Sequence, residues 1–364
     1  MFSKNIFRCV LFIATTVVLS SCLREEEIKQ PFQTFQPIDL QDGWQISTPS
    51  SQNIDSVQLT AAFRSVHADI DLWQIRSVSL FRHGRIIAES YMKDDIDRIQ
   101  ERQMWSCTKQ IIGILIGIAF DQNLLASLDD PIEKYMPAVQ GYSDKRSITI
   151  RHLLTMSSGI AYTNDGFNGQ TINILQQKPD DLLDYILSRP LNTQPGQQFS
   201  YKDGDTQLLS ILLEHVTGKP THLWAQDVLF QPLGIKRMQW LRYKDGATLG
   251  AFGILSTPRE MSKIAQCVMN GGMYNGRQII SRQWIQRMIT RQIRASNYAF
   301  GFQWWISEER NVFFMSGNGG QYFVCYPEKQ CIVAITSEPN TLGNFRILNT
   351  QGLNIAQQFF ASVR

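Results

Sequence analysis

A serine and a lysine three residues apart stand at the start of an almost uninterrupted apolar stretch. In "MWSCTKQIIGILIGIAF", residues 104–120, the pair is Ser106 and Lys109. Residues three apart on a helix share one face, with their Cβ atoms about 5–6 Å apart. A serine hydroxyl becomes a nucleophile when a neighbouring base takes its proton, and burial lowers the pKa of a lysine toward a useful range. The spacing therefore predicts nucleophilic catalysis by Ser106 with Lys109 as its base.

The predicted helix start offers a second catalytic element, the unpaired backbone N–H groups of the first turn. Such groups can hold a negative charge that develops on a carbonyl oxygen. The run from Cys107 to Asp121 is apolar on all sides, which predicts a central rather than a peripheral helix. A surface lysine near a helix start is the alternative interpretation of this two-residue pattern.

Two further segments carry groups that suit this chemistry. In "PGQQFSYKDGDTQLLSILLE", residues 195–214, Tyr201 precedes a predicted helix, and its hydroxyl could relay a proton to a leaving group. In "FFMSGNGGQYFVCY", residues 313–326, a predicted strand runs into small residues, where backbone can approach a ligand closely. The sequence thus predicts a site built from three separate segments.

The elements that would position these segments are of two kinds. "SVSLFRHGRIIAESY", residues 77–91, alternates around His83-Gly84 and predicts a β-hairpin. Further short strands, rich in aromatic and β-branched residues, are predicted near the other chain end, at residues 298–306, 311–316, 321–326 and 331–337. Helices are predicted between these two sets, at residues 107–121, 149–156, 179–188, 206–217 and 257–269.

Strands from both chain ends with helices inserted between them predict an α+β fold, with an antiparallel sheet lobe, a helical lobe and a cleft between the two. A C-terminal helix that covers the sheet is predicted from apolar residues at helical spacing, namely Leu353, Ala356, Phe359, Phe360 and Val363. We expect one domain over residues 39–364, with the sheet lobe at about 39–105 and 297–364 and the helical lobe at about 106–296.

In this order, the segments resemble the serine β-lactamase and penicillin-binding protein superfamily, in particular its branch of class C β-lactamases, D-alanyl-D-alanine carboxypeptidases and esterases. The resemblance runs from about Ile75 to the C-terminus and is carried by "WSCTKQIIGILIGIAFDQNLLASLDDPIEKYMP", "ITIRHLLTMSSGI" and "PGQQFSYKDGD". It implies a β-lactamase/transpeptidase-like fold with the active site in the cleft. It also implies Ser106 as the acylated nucleophile, Lys109 as its base partner and Tyr201 as the proton relay.

The third motif of this superfamily, Lys-Thr-Gly on the strand that lines the cleft, best matches Met315-Ser316-Gly317. The resemblance implies that these three residues contact substrate. It further implies that the backbone N–H groups of Ser106 and Asn318 form the oxyanion hole.

Two residues depart from the superfamily pattern and change the charge of the predicted pocket. Met315 replaces a lysine that adds positive charge, and Asp203 replaces the usual asparagine. A carboxylate near Lys109 would favour its charged form. Because both changes make the pocket less positive, we expect substrates to be neutral or amine-bearing esters or amides rather than anionic β-lactams.

The predicted function is that of an envelope serine hydrolase that forms an acyl-enzyme on an ester or amide, without a cofactor. D-alanyl-D-alanine carboxypeptidase or β-lactamase activity is one alternative. A non-catalytic lipoprotein that binds muropeptides or a protein partner is another, although Ser106, Lys109 and Tyr201 are all kept. The five histidines form no H-E-x-x-H pair, and the chain has no G-x-S-x-G, which disfavours metal-dependent and histidine-triad hydrolases.

The first 22 residues resemble a bacterial lipoprotein signal. Lys4 and Arg8 precede an apolar run that ends in Leu-Ser-Ser-Cys, so that Cys22 would carry lipid after removal of residues 1–21. Residues 22–38 are interpreted as a tether to the membrane of a bacterial cell envelope. Without residues 1–21 the chain holds 33 basic and 32 acidic residues, which leaves no broad basic field for nucleic acid.

The remaining cysteines show no zinc-binding spacing, so no metal site is predicted. Cys325 and Cys331 flank a predicted turn at residues 327–330. In an exported protein they could form a disulfide if their geometry allows, or they could be buried free thiols.

Overall fold

Strands from the two ends of the chain pair into one large sheet. The computed structural model describes residues 29–161, 179–338 and 349–364. In chain order the strands are β1 Gln45–Ile46, β2 Ile75–Arg82, β3 Arg85–Tyr91, β4 Arg102–Gln103, β5 Met238–Trp240, β6 Ile254–Ser256, β7 Met273–Tyr274, β8 Arg277–Gln278, β9 Ile293–Ala295, β10 Tyr298–Phe300, β11 Trp305–Ser307, β12 Val312–Gly317, β13 Gln321–Tyr326 and β14 Cys331–Ser337. Within these residues, nine strands form the sheet in the order β1-β3-β2-β14-β13-β12-β11-β10-β9. Every neighbouring pair is antiparallel except β1 with β3.

Most of the helices lie between β4 and β9 in the chain. In chain order the helices are α1 Ser56–Ala68, α2 Cys107–Asp121, α3 Ile150–Leu154, α4 Leu182–Leu187, α5 Asp203–Thr217, α6 Thr221–Ala225, α7 Pro258–Met269, α8 Arg282–Met288 and α9 Asn349–Phe360. A π-helical turn, Gln226–Phe230, continues α6. The sheet lobe with an inserted helical lobe is the α+β arrangement that the sequence predicts.

The hairpin at the start of the domain is confirmed. β2 and β3 are joined by His83-Gly84, whose φ angles are 49° and 71°. Two successive left-handed residues are the mark of a type I′ turn, whose twist matches that of the paired strands. Gly84 reaches this conformation without the steric cost that other residues bear.

One predicted strand, residues 298–306, is two strands in the structure. β10 and β11 are separated by a tight turn in which the Gly301 N–H bonds to the Trp304 carbonyl. A Cβ at Gly301 would lie 1.9 Å from the Met288 carbonyl oxygen, so only glycine allows this close approach to the end of α8. The turn carries residues 301–304 out of the strand pairing and against α2, where Phe302 meets Gly113 and the Trp304 Nε1 donates to the Gln110 carbonyl.

Each face of the sheet is covered by helices, which explains why its strands are apolar on both sides. On one face α2 and α7 pack against residues such as Phe313, Met315 and Phe323. On the other face α1 and α9 pack against Phe314 and Val324. The predicted C-terminal helix therefore exists and covers the sheet as expected.

Helix α2 runs through the middle of the molecule. Two glycines let its neighbours approach: Gly113 lies against the Phe302 carbonyl and Gly117 against the Trp284 ring. The Trp284 Nε1 donates to the Gly113 carbonyl at 3.0 Å. This enclosure fixes the axis of α2, and with it the position of the helix start at the cleft.

The N-terminal part of the chain is described from residue 29 onward, so the predicted signal and Cys22 lie outside the described residues. Residues 29–38, predicted as part of a tether, touch α1: Phe32 and Phe35 stack on Phe63, with ring centres 5.9 and 5.5 Å away. Within the described ranges, no helix has the length and apolar character needed to cross a membrane.

Candidate active site

Ser106 lies at the start of α2, with Lys109 one turn inside. The Ser106 side chain is partly exposed, whereas Lys109 is fully buried. The Lys109 ammonium donates hydrogen bonds to Ser106 Oγ at 3.0 Å and to the Ala251 carbonyl at 2.8 Å. The preceding residue, Trp105, has a φ of 49°, a left-handed conformation that is strained for a bulky side chain. The serine thus occupies a sharp turn into the helix, within hydrogen-bond distance of a buried amine.

The segment that enters α5 supplies two more polar groups. Asp203 is the first residue of α5, and its Oδ1 lies 2.6 Å from Lys109 Nζ. The Tyr201 hydroxyl is within hydrogen-bonding reach of both Ser106 and Lys109. The structure therefore brings together the serine, lysine and tyrosine that the sequence analysis singled out, with Asp203 behind the lysine.

The charge of Lys109 differs from the one that burial alone would produce. Burial lowers the pKa of Lys109, but the Asp203 carboxylate and the Tyr201 hydroxyl raise it by more, so the resulting pKa is above that of a free lysine. The expectation of a lowered pKa is wrong, because the ion pair with Asp203 outweighs desolvation. Burial also raises the pKa of Tyr201, although the Lys109 charge opposes this rise. At neutral pH Lys109 is therefore an ammonium and Tyr201 a neutral phenol.

β12 lines the site with backbone rather than with charge. The Met315 side chain is completely buried in the core beneath the sheet. On the opposite face, the Ser316 hydroxyl donates to Asn349 Oδ1 at 2.7 Å, and the Tyr322 hydroxyl donates to the same atom at 3.2 Å. Asn349 begins α9, so the C-terminal helix reaches the cleft, a contact for which the sequence offers no signal.

The end of β12 approaches the start of α2 closely. A Cβ at Gly317 would lie 2.3 Å from the Met104 carbonyl oxygen, so a larger residue would push the strand away from the nucleophile. β11 pairs with β12 only as far as Phe314, which leaves the edge of residues 315–317 without a strand partner among the described residues. This open edge lies beside the start of α2.

The predicted oxyanion hole joins these two elements. Within the described ranges, the backbone N–H groups of Ser106 and Asn318 donate to no other backbone group. Ser106 opens α2 and Asn318 follows the last residue of β12, which Gly317 holds against the helix start. The two N–H groups are thus available to a substrate oxygen, and their role remains a prediction.

A second polar cluster, which the sequence analysis missed, anchors the same segment from below. Lys202 lies between Tyr201 and Asp203, is fully buried, and donates to Ser158 Oγ and to the Ile160 carbonyl, each at 3.2 Å. The Ser158 hydroxyl donates to Asp205 Oδ1 at 2.5 Å. Buried polar groups require such mutual satisfaction. The cluster ties the entry of α5 to residues 158–160, and the adjacent charges in "YKDGD" were the one available signal.

The described residues contain neither the disulfide considered for Cys325 and Cys331 nor a cluster of metal ligands. Cys325 and Cys331 are buried free thiols, and they face the two opposite cores of the sheet, which explains why they do not bond. Among the described residues, no three His, Cys, Asp or Glu side chains come together as a metal site would require. His152 caps the start of α3 and accepts from the Thr149 N–H at 3.2 Å, a structural role.

Residues 102–357 match the family model described as Beta-lactamase. The chain belongs to the Beta-lactamase family. A curated relative, the "Putative D-alanyl-D-alanine carboxypeptidase" of Escherichia coli (strain K12), is 23% identical over 231 residues, which cover 48% of this chain and 52% of that protein. The chain thus spans about half the length of this relative.

Solved structures of low sequence identity share the fold. The D-alanine carboxypeptidase AmpC from Burkholderia cenocepacia has a TM-score of 0.63 at 15% identity, covering 84% of this chain and 98% of that one. EstCE1, described as a hydrolase with promiscuous acyltransferase activity, has a TM-score of 0.66 at 16% identity, with 84% and 98% coverage. The fold of this β-lactamase family member therefore occurs both in a D-alanine carboxypeptidase and in a hydrolase with acyltransferase activity.

Proposed function

We propose that this chain is a serine hydrolase that cleaves an uncharged or amine-bearing ester or amide through an acyl-enzyme on Ser106. The observation that carries the proposal is the hydrogen-bonded set of Ser106, Lys109 and Tyr201 at the start of α2. The set combines a partly exposed nucleophile, a buried amine and a phenol in one cleft. An activated serine of this kind can carry out the acyl transfer of a carboxylesterase, amidase or peptidase.

Acylation begins when Ser106 Oγ attacks the carbonyl carbon and its proton passes toward Lys109. Lys109 is charged at rest, so it must first release a proton, and the nearest acceptor is the Asp203 carboxylate at 2.6 Å. The backbone N–H groups of Ser106 and Asn318 hold the negative oxygen. Tyr201 then gives its proton to the leaving atom as the carbonyl-to-leaving-group bond breaks, and it regains one from Lys109.

Deacylation reverses these roles. Tyr201 passes its proton to neutral Lys109 and takes one from an attacking water, and the ester bond to Ser106 breaks. Ser106 Oγ then recovers a proton from Lys109, and the proton held on Asp203 returns to Lys109. The net proton count on Lys109, Asp203 and Tyr201 is unchanged after one turnover. An amine or alcohol in place of water would give acyl transfer by the same route.

The charge of the cleft supports uncharged substrates. Met315 stands at the position of the lysine in the superfamily pattern, and its buried side chain offers no cation. The Ser316 hydroxyl is already committed to Asn349. Asp203 is buried against Lys109, so its charge is neutralised within the site. A substrate carboxylate would find weaker, neutral partners here than a charge-assisted pair provides.

The lipid anchor and the envelope location form part of the proposal. They rest on the signal-like residues 1–21 and on Cys22. Labelling of cells with a fatty-acid analogue should mark the wild-type protein and leave the Cys22→Ala variant unmarked.

Intact mass after brief exposure to an activated ester and to a penicillin tests the reaction. The expected result is an ester-derived adduct on the wild type, none on Ser106→Ala, and no penicillin adduct. A penicillin adduct that needs Ser106 would favour the carboxypeptidase or β-lactamase alternative. Absence of both adducts and of any ester turnover that needs Ser106 would count against catalysis and favour a binding protein.

A further inference from the structure

Two adjacent tryptophans, at the turn before β11 and at its first residue, have opposite surroundings. Trp304 is fully buried, and its Nε1 donates to the Gln110 carbonyl of α2 at 3.2 Å. Trp305 begins β11 on the opposite face and is partly exposed. Its ring stacks on Phe314 across the strand pair, with ring centres 6.4 Å apart and planes at 17°. Trp304 is thus core, while Trp305 offers aromatic surface to solvent.

The exposed tryptophan is one contact away from the catalytic groups. The Tyr201 ring lies 5.5 Å from the Trp305 ring, and the Tyr201 hydroxyl reaches Ser106. On its other side, Trp305 meets the edge of Tyr298 at 6.2 Å. The aromatic surface therefore extends from the catalytic tyrosine across the sheet.

The far side of this surface returns to the site through the C-terminal helix. The Tyr298 hydroxyl is 3.1 Å from Thr350 Oγ1, and the neighbouring Asn349 accepts the hydrogen bond from Ser316. Ser316 precedes Gly317, which touches the start of α2. A closed ring of contacts thus runs from Ser106 across Tyr201, Trp305, Tyr298, the start of α9 and β12 and back to α2.

None of the side chains in this ring carries a charge, and all are at least partly exposed. They are Tyr201, Trp305, Tyr298, Thr350, Asn349 and Ser316. The floor is aromatic and the rim consists of hydroxyl and amide groups. A contiguous apolar surface beside a nucleophile, with few polar groups at its rim, is the usual form of a small-molecule subsite.

We propose that Trp305 determines the specificity of the enzyme by binding an uncharged aryl or alkyl group of the substrate beside the bond that is cleaved. The inference rests on the proposed serine-hydrolase function and narrows its substrate class. An aromatic group would stack on or meet the edge of the Trp305 ring, as the protein's own aromatic side chains do. A terminal carboxylate on the same group would lose hydration and gain no cationic partner in the ring.

The test compares three esters that share p-nitrophenol as the leaving group and differ in the acyl group. They are p-nitrophenyl acetate, p-nitrophenyl 4-phenylbutyrate and mono-p-nitrophenyl glutarate (the hemiglutarate), which ends in a carboxylate. For the wild type, kcat/KM should be highest for the phenylbutyrate and lowest for the hemiglutarate. In Trp305→Ala the ratio of kcat/KM for phenylbutyrate to that for acetate should fall about tenfold, the scale of one lost apolar contact. Trp305→Phe should keep most of this ratio, because it retains an aromatic surface.

Trp73→Ala is the matched control, since Trp73 is also partly exposed but contacts Lys93 away from the ring of contacts described above. It should leave the ratio unchanged. An unaltered ratio in both Trp305 variants, with Ser106 still acylated, would overturn the inference and leave the proposed function standing. A preference of the wild type for the hemiglutarate would also overturn it. Absence of Ser106 acylation by every ester would instead reject the proposed function.

Discussion

Two buried clusters in this chain contain the same three side-chain types, a serine, a lysine and an aspartate. The first holds Ser106, Lys109 and Asp203, and the second holds Ser158, Lys202 and Asp205. Only Gly204 lies between the two aspartates in the chain. In the first, Lys109 stands between its partners, 3.0 Å from the serine oxygen and 2.6 Å from the carboxylate. The serine proton is therefore free to leave once the lysine can accept it.

In the second cluster the serine hydroxyl donates a hydrogen bond directly to the carboxylate. Ser158 Oγ lies 2.5 Å from Asp205, while Lys202 is 3.9 Å from the same side chain. Ser158 is fully buried, whereas Ser106 is partly exposed. The comparison shows that a serine, a lysine and an aspartate in contact are not enough to make the serine a nucleophile. Solvent access and the direction of the serine hydrogen bond separate a site that can react from one that only holds the chain.

The largest expected effect separates the two serines. Ser106→Ala should reduce acyl transfer by about 10⁴–10⁶-fold, as loss of a catalytic nucleophile does in other serine hydrolases. Ser158→Ala should keep acylation within a few-fold and instead lower the free energy of unfolding by about 1–3 kcal/mol, because a buried hydrogen bond is lost. Ester turnover and urea unfolding of both variants decide the matter. Loss of acylation in a folded Ser158→Ala would contradict the structural role of the second cluster.

The next effect concerns the buried charges of the second cluster. Lys202→Met should destabilise the fold by about 3–5 kcal/mol at neutral pH, because the Asp205 carboxylate loses its cation. Burial already raises the pKa of Asp205, so this penalty should shrink as the pH falls and the carboxyl takes up a proton.

The double variant Lys202→Met, Asp205→Asn serves as the control for this charge effect. It should recover much of the lost stability, because neither charge is then left alone. Urea unfolding at pH 5 and pH 7 measures both expectations. Equal losses in the single and double variants would show that packing rather than charge pairing accounts for the effect.

The smallest expected effect concerns the charge of the first cluster. Asp203→Asn removes the carboxylate that raises the pKa of Lys109, so burial should then lower this pKa. If neutral Lys109 is the base, the rising limb of the acylation rate against pH should move to lower pH. Rates from pH 5 to pH 10 show the shift, because the variant should level off at a pH where the wild-type rate is still rising. A limb that moved to higher pH would argue against Lys109 as the base.

Much of the fold follows from the sequence because its signals are local. The hairpin is predicted by His83-Gly84, two residues that can adopt the left-handed conformation, and α2 is predicted by its long apolar run. Whether Cys325 and Cys331 form a disulfide could not be predicted from the sequence, because strand register decides to which face of the sheet each side chain points. The predicted strand over residues 298–306 failed because the close approach of Gly301 to α8 is a long-range contact.

The candidate site divides in the same way. The proximity of Ser106 and Lys109 follows from helix geometry, and their proximity to Tyr201 was suggested by family resemblance rather than by any local rule. The sequence indicated both that burial would lower the pKa of Lys109 and that the Asp203 carboxylate would raise it. Which effect prevails depends on the 2.6 Å distance between the two side chains, which only the structure gives. Lys202 was overlooked because a charged residue in a predicted loop is usually solvated.

The C-terminal helix has two structural roles. It covers one face of the sheet, and through Asn349 it also holds the Ser316 hydroxyl at the cleft. Its far end is fastened to the hairpin, where Arg82 donates to the last carbonyl of the chain at 3.1 Å. If the final segment detached, the Ser316–Asn349 hydrogen bond at the cleft would be lost before the strands of the sheet separate. On gentle heating, we therefore expect the proposed ester turnover to fall at a lower temperature than the one at which secondary structure is lost.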